Sequence, residues 1–138
     1  MNKLIKHKIN QKRILKSIAK QWFKIHKIKK VIYRKTLTGC AFVKIKTIEI
    51  PPATTRNRMY IIAHELGHIF YNHISNKKRF IEEYEAEKYA HYLMKKYKIK
   101  IPRKMTTRAK QYVERKIYQA KARGLKSEIP SNIKRWIA

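Results

Sequence analysis

Ile61-Ile62-Ala63-His64-Glu65-Leu66-Gly67-His68-Ile69-Phe70 is the stretch from which the rest of the chain is best read. Two histidines four apart on an α-helix differ by about 40° around its axis, so both imidazoles leave one face and can share a metal ion. Glu65 leaves the helix about 100° from His64. It is therefore expected to miss the metal and to reach a metal-activated water, whose proton a carboxylate there can take. Met59, Ile62, Ala63, Leu66, Ile69 and Phe70 gather on the other side. The helix thus has a core-facing stripe to which the histidines do not belong.

A catalytic zinc commonly has three protein ligands and one open position, and Glu82, Glu83, Glu85 and Glu87 follow the histidines closely. Over that segment Ala86, Ala90, Leu93, Met94 and Tyr97 trace a buried stripe. Glu83 projects within it and Glu87 at its edge; Glu85 points away and Glu82 lies at the opposite margin. A carboxylate on a buried face must meet a cation or a donor. Glu83 is therefore read as the third ligand, and Glu87 as the group that hydrogen-bonds a ligating imidazole and fixes its tautomer. The competing reading is a solvated acidic patch that balances nearby lysines. His91, two turns beyond Glu83, is a substitute ligand of last resort. His73 falls one residue short of the third-histidine spacing of metzincins, and Tyr71 stands where their glycine would be. His7 and His26 lie in lysine-rich sequence and are read as solvated. For a group to stabilise a tetrahedral oxyanion, Tyr60, Tyr84 and Tyr92 are the candidates.

Working outward, Pro51 and Pro52 end the preceding segment, and Thr54 or Thr55 can cap a helix over about 55–72. Further helices are expected over about 78–98 and 106–123, the latter ended near Gly124. After a break at Pro130, a short helix carries Ile133, Trp136 and Ile137. Upstream, Ile14, Leu15, Ile18, Ala19, Trp22 and Phe23 recur at helical spacing over 11–24. From Val31 the period becomes that of strands, in two or three short pieces: Val31 to Tyr33, a turn at Thr38 and Gly39, then Ala41, Val43 and Ile45, ending at Ile48 to Ile50. The expected fold is α+β and zincin-like: a small antiparallel sheet packed with an active-site helix, a glutamate helix and further N- and C-terminal helices. It forms one domain over 1–138, with a basic N-terminal helix in 1–30, a core in 31–100 and a basic helical extension in 101–138.

The 138 residues include 36 Lys and Arg against 8 acidic residues, a net charge of +28. Such a field attracts polyanions, although codon bias also yields a chain rich in Lys and Ile and devoid of Asp. Aromatic residues stand among the cations near both ends, as Trp22, Phe23, Tyr112, Tyr118 and Trp136 do, and can stack bases. The alternative places them in the core, since Ile14, Ile18 and Trp22, and Val113, Ile117 and Ala120, each trace a single stripe. Cys40 is the only cysteine, which excludes an intrachain disulfide and a thiolate zinc cluster and suits a reducing compartment. No apolar run approaches a membrane span or a signal peptide, so a soluble, cytoplasmic protein is expected, with no membrane partner and no sign of a stable oligomer.

His64-Glu65-Leu66-Gly67-His68, followed by Glu83-Tyr84-Glu85-Ala86-Glu87 and Tyr89-Ala90-His91-Tyr92-Leu93-Met94, resembles the gluzincin metallopeptidases, specifically the ImmA/IrrE family and the minimal single-domain gluzincins. These carry a His-Glu-Leu-Gly-His helix and a downstream glutamate helix, and the likeness covers about residues 48–94. Glu87 stands where that family has Asn or Asp, and Tyr89 where it has Phe; the short spacing between the motifs is that of the minimal members. The resemblance implies zinc on His64, His68 and Glu83, Glu65 as general base and acid, and Glu87 behind a ligand. It also implies an edge strand that aligns an extended peptide, matched here by Thr47 to Ile50, and links to mobile elements or phage, some of whose members cleave DNA-bound repressors. Two functions follow as expectations. One is a zinc-dependent metalloendopeptidase acting on a protein or peptide, with nucleic acid drawn to its basic surface. The alternative is a basic nucleic-acid-binding protein whose zinc site is structural or inactive.

Overall fold

A computed structural model describes residues 2–74 and 78–138. The described residues form a mixed α+β fold of five helices and a three-stranded sheet: α1 (Lys3–Ile25), β1 (Lys30–Tyr33), β2 (Cys40–Phe42), β3 (Thr47–Ile50), α2 (Arg56–Phe70), α3 (Arg79–Lys96), α4 (Arg103–Ala122) and α5 (Ser131–Ile137). None of the helices is long and apolar enough to cross a membrane.

The sheet is mixed, not antiparallel, with strand order β1-β3-β2. The hairpin expected at Thr38 and Gly39 does not form. β1 instead runs parallel to β3 (Val31 opposite Ile48), and β2 runs antiparallel to it (Ala41 opposite Ile48). The reversal falls later, because Val43–Ile45 winds into a 3₁₀ turn closed by Lys46 in the left-handed region, φ 52°. Ile48 and Ile50, fully buried, then occupy the middle of the sheet. Thr47 to Ile50 is accordingly the central strand and cannot align a peptide; β2 is the edge on that side.

Thr55 caps α2 by accepting a hydrogen bond from the Arg58 amide. Met59, Ile62, Ala63, Leu66 and Ile69 enter the core as their spacing requires, whereas Phe70 is 58% exposed and stacks on Tyr89 instead. α2 and α3 cross closely because residue 67 has no side chain: a Cβ there would lie 2.9 Å from Ala86 Cα and 3.0 Å from its carbonyl oxygen. α1 begins eight residues earlier than its apolar stripe indicates, with Asn2 as its cap. Only its second half docks, through Ala19 and Trp22; Ile14 is exposed. A second apolar cluster of Phe80, Val113, Ile117, Ile129 and Ile133 ties α3, α4 and α5 together, and Trp136 packs against both clusters.

Candidate metal centre

α2 and α3 bring His64, His68 and Glu83 together in one group that can hold a metal ion. His64 Nε2 lies 3.2 Å from His68 Nε2. Glu83 Oε2 lies 3.1 Å from the first and 3.5 Å from the second. Ligands about 2.0–2.1 Å from a tetrahedral zinc are separated by about 3.3 Å, so the three atoms span one face of such a tetrahedron. Glu83 Oε2 is buried and makes no properly directed hydrogen bond, while Glu83 Oε1 forms an ion pair with the Arg79 guanidinium at 3.0 Å. One carboxylate oxygen is thus neutralised within the protein, and the other is aimed at the imidazoles.

The groups behind the histidines fix which nitrogen is bare. His64 Nδ1 meets Glu87 Oε1, so the proton sits on Nδ1 and Nε2 offers its lone pair. Behind His68 stands a chain of two. His73 Nε2 donates to Glu85 Oε1 at 3.1 Å, leaving His73 Nδ1 to accept from His68 Nδ1–H at 2.9 Å. That leaves Nε2 of His68 bare as well. Three such atoms converging in a buried place repel one another unless a proton or a metal ion sits among them, and the residues present fit a metal ion that takes the place of that proton.

Burial works to lower His64, but the Glu87 charge and hydrogen bonds to Glu83 and Glu87 outweigh it and hold the imidazole well above its ordinary range. A metal binding there exchanges with that proton. Burial would raise Glu83, yet its contacts with His64 and His68 keep it well below the usual carboxylate range. Glu65 is buried beside them, and that burial pushes its carboxyl up against the offsetting charges of His64 and His68. Gly39 lets the loop ahead of β2 pass directly over Glu65, since a Cβ at that position would lie 2.7 Å from Glu65 Oε2.

These groups open into a cleft of about 520 Å³. One side is formed by β2 and its preceding loop; the floor holds Glu65 and the three candidate ligands; α4 closes the far side with Arg108, Gln111, Tyr112 and Arg115. Of the phenols singled out from the sequence, only Tyr60 lines the cleft, and its hydroxyl is engaged by Glu87 and His91. Tyr84 packs edge-on against Trp136 at 5.4 Å, and Tyr92 faces Lys96 on an exposed surface. Both miss the cleft because Glu83 and Glu87 set which face of α3 looks into it. Tyr112, singled out from the sequence only as a base-stacking aromatic, does line it.

Other expectations change too. The acidic cluster is not a solvated patch, since Glu82, Glu83 and Glu87 are all buried; Glu82, placed at the outer margin by its spacing, is only 3% exposed. His91 does not join the metal group; its nitrogens go to the Glu87 carbonyl and the Thr106 hydroxyl. His26 is not solvated, as it donates to the Trp22 carbonyl and accepts from the Tyr89 hydroxyl. Glu85, read as pointing away, and His73, set aside with the metzincin pattern, turn out to form the chain behind His68. A local signal for this was present. Asn72 adopts the left-handed conformation, φ 54°, and closes α2 with Asn72 N→Ile69 O and His73 N→His68 O bonds. That is the Schellman arrangement, which brings the residue after the left-handed one against the residue five positions earlier, here His68.

Comparison with protein-family models, with curated proteins and with solved structures returned no match to this chain.

Proposed function

We propose that the chain is a gluzincin-like zinc metalloendopeptidase, with His64, His68 and Glu83 as ligands and Glu65 as the general base and acid. The observation that carries this reading is the set of 3.1, 3.2 and 3.5 Å separations among three candidate ligand atoms at the floor of an open cleft. Zinc in such a site supplies Lewis acidity and makes water a nucleophile near neutral pH. Everything else falls to the chain's own side chains. Glu65, buried at the cleft floor but not among the ligands, takes the proton from the attacking water and delivers it to the departing amine. Glu87 and the His73–Glu85 pair orient the two imidazoles. The edge of β2, with Cys40 and Ala41 on the cleft, offers unpaired backbone groups to an extended substrate. Tyr112 is the phenol best placed to donate to the carbonyl oxygen as charge develops there.

The test is Glu65→Gln. This variant should retain stoichiometric zinc by metal analysis while losing about 10²- to 10⁴-fold in hydrolysis of a denatured protein substrate. Undiminished cleavage would remove Glu65 from the role.

A second reading, a nucleic-acid-binding protein with a structural or inactive metal site, is favoured by α1. All eight of its Lys and Arg residues are exposed, and it carries no acidic side chain. Steeply salt-dependent DNA or RNA binding that survives Glu65→Gln would support it; both activities can reside in one chain.

A further inference from the structure

The far wall of the cleft differs from the rest of the surface in the kind of cation it carries. The chain has 26 lysines and 10 arginines, yet among the described residues the cationic side chains lining the cleft are Arg79, Arg108 and Arg115, with no lysine. Arg79 is spent on Glu83. Arg108 and Arg115 have no carboxylate partner among the described residues. They stand on one face of α4, seven positions and about 10 Å apart, with the Tyr112 ring between them and 6.0 Å from the Arg115 guanidinium. Lysine would serve if the cleft needed only positive potential. Guanidinium groups serve where a planar anion is to be gripped through two hydrogen bonds at once.

We infer that the cleft selects an acidic peptide segment, whose carboxylates Arg108 and Arg115 engage while its backbone runs beside β2. The inference rests on the peptidase reading for the polymer being a peptide, and β2 supports that choice independently: an open strand edge matches backbone amides, which nucleic acids lack. Of the carboxylates lining the cleft, Glu83 and Glu87 are held by His64, and Glu65 lies buried at the floor beneath Gly39; none is paired with Arg108 or Arg115. Two acidic side chains of the substrate within about 10 Å of each other match the spacing along α4. Arg108 and Arg115 thus act as specificity-determining residues and leave the metal centre untouched.

The experiment measures binding of short labelled peptides to full-length, zinc-loaded protein by fluorescence anisotropy at physiological ionic strength, with cleavage followed separately. The probes are a glutamate-containing peptide and its glutamine counterpart. The glutamate peptide should bind about tenfold more tightly, a difference that Arg108→Gln/Arg115→Gln abolishes and Arg108→Lys/Arg115→Lys reduces. Lys8→Gln/Lys12→Gln, which removes the same charge from exposed positions on α1, should leave it unchanged. An equal loss in the α1 variant, or no preference in the wild type, overturns the inference. So does a single-stranded oligonucleotide that depends on the two arginines more strongly than the peptide does, since the cleft then takes phosphate. Arginine-dependent binding without any cleavage upholds the acidic specificity and sinks the peptidase reading. Cleavage of both peptides at one rate, unaffected by Arg108→Gln/Arg115→Gln, does the reverse.

Discussion

The two walls of the cleft treat charge in opposite ways. On the α2–α3 wall three carboxylates are committed to partners within the fold: buried Glu83 to Arg79 and the imidazoles, buried Glu87 to His64 and Tyr60, and half-buried Glu85 to His73. On the α4 wall Arg108 and Arg115 stand exposed, with no carboxylate partner among the described residues. A buried charge is kept only where the fold supplies its partner, because desolvation otherwise costs several kcal/mol; an exposed one is free to wait for a ligand. The first wall carries a group that can hold a metal ion, and the second presents guanidinium groups with no carboxylate partner among the described residues.

The sharpest break in that contrast comes from Glu83→Gln. Losing one of three ligands should weaken zinc binding by at least about 100-fold, the upper end of what loss of an outer partner costs. Competition with a chromophoric chelator reads this directly, and an unchanged affinity would place the metal elsewhere. His73→Ala comes next. With its Nδ1 acceptor gone, His68 is no longer held in one tautomer, and affinity should fall about 10- to 100-fold; an effect below twofold would mean His73 only fills space. Gly67→Ala attacks the crossing that brings the ligands together. Its methyl group meets Ala86 backbone that cannot swing aside, so the protein should lose about 1–3 kcal/mol of stability in a urea titration. The smallest effect lies outside both walls. Burial holds His26 below its ordinary value against the opposing bond to the Trp22 carbonyl, so the unfolded chain binds that proton more readily. Its contribution to stability is complete above about pH 6.5 and is lost as pH falls through the folded value. The fall in urea midpoint from about pH 7.5 to about pH 5 should shrink in His26→Gln. It should not vanish, because burial lowers His91 as well.

Much of the first wall was legible before any coordinates. His64, Glu65 and His68 lie within five residues of one helix, and helical geometry alone puts the two imidazoles on one face. Glu83 and Glu87 could be chosen from their neighbours because an acidic residue inside a buried stripe needs a reason to be there. The helices were found for the same reason, since their apolar periodicity is local. Their ends moved by a few residues where caps decided, and α1 ran on past its stripe because nothing in Lys3 to Asn10 breaks a helix.

Sequence by itself determined the helices, the spacing of the candidate metal ligands and the surplus of positive charge, which are local or compositional properties. The tertiary structure alone decided that β3 enters between β1 and β2, that Tyr112 lines the cleft in place of Tyr84 and Tyr92, and that the arginines of α4 line it too. The physical reason is range. Register in a sheet and rotation of one helix against another are set by contacts between distant segments, such as Gly67 against Ala86 and Gly39 against Glu65, and those contacts exist only once the chain has folded.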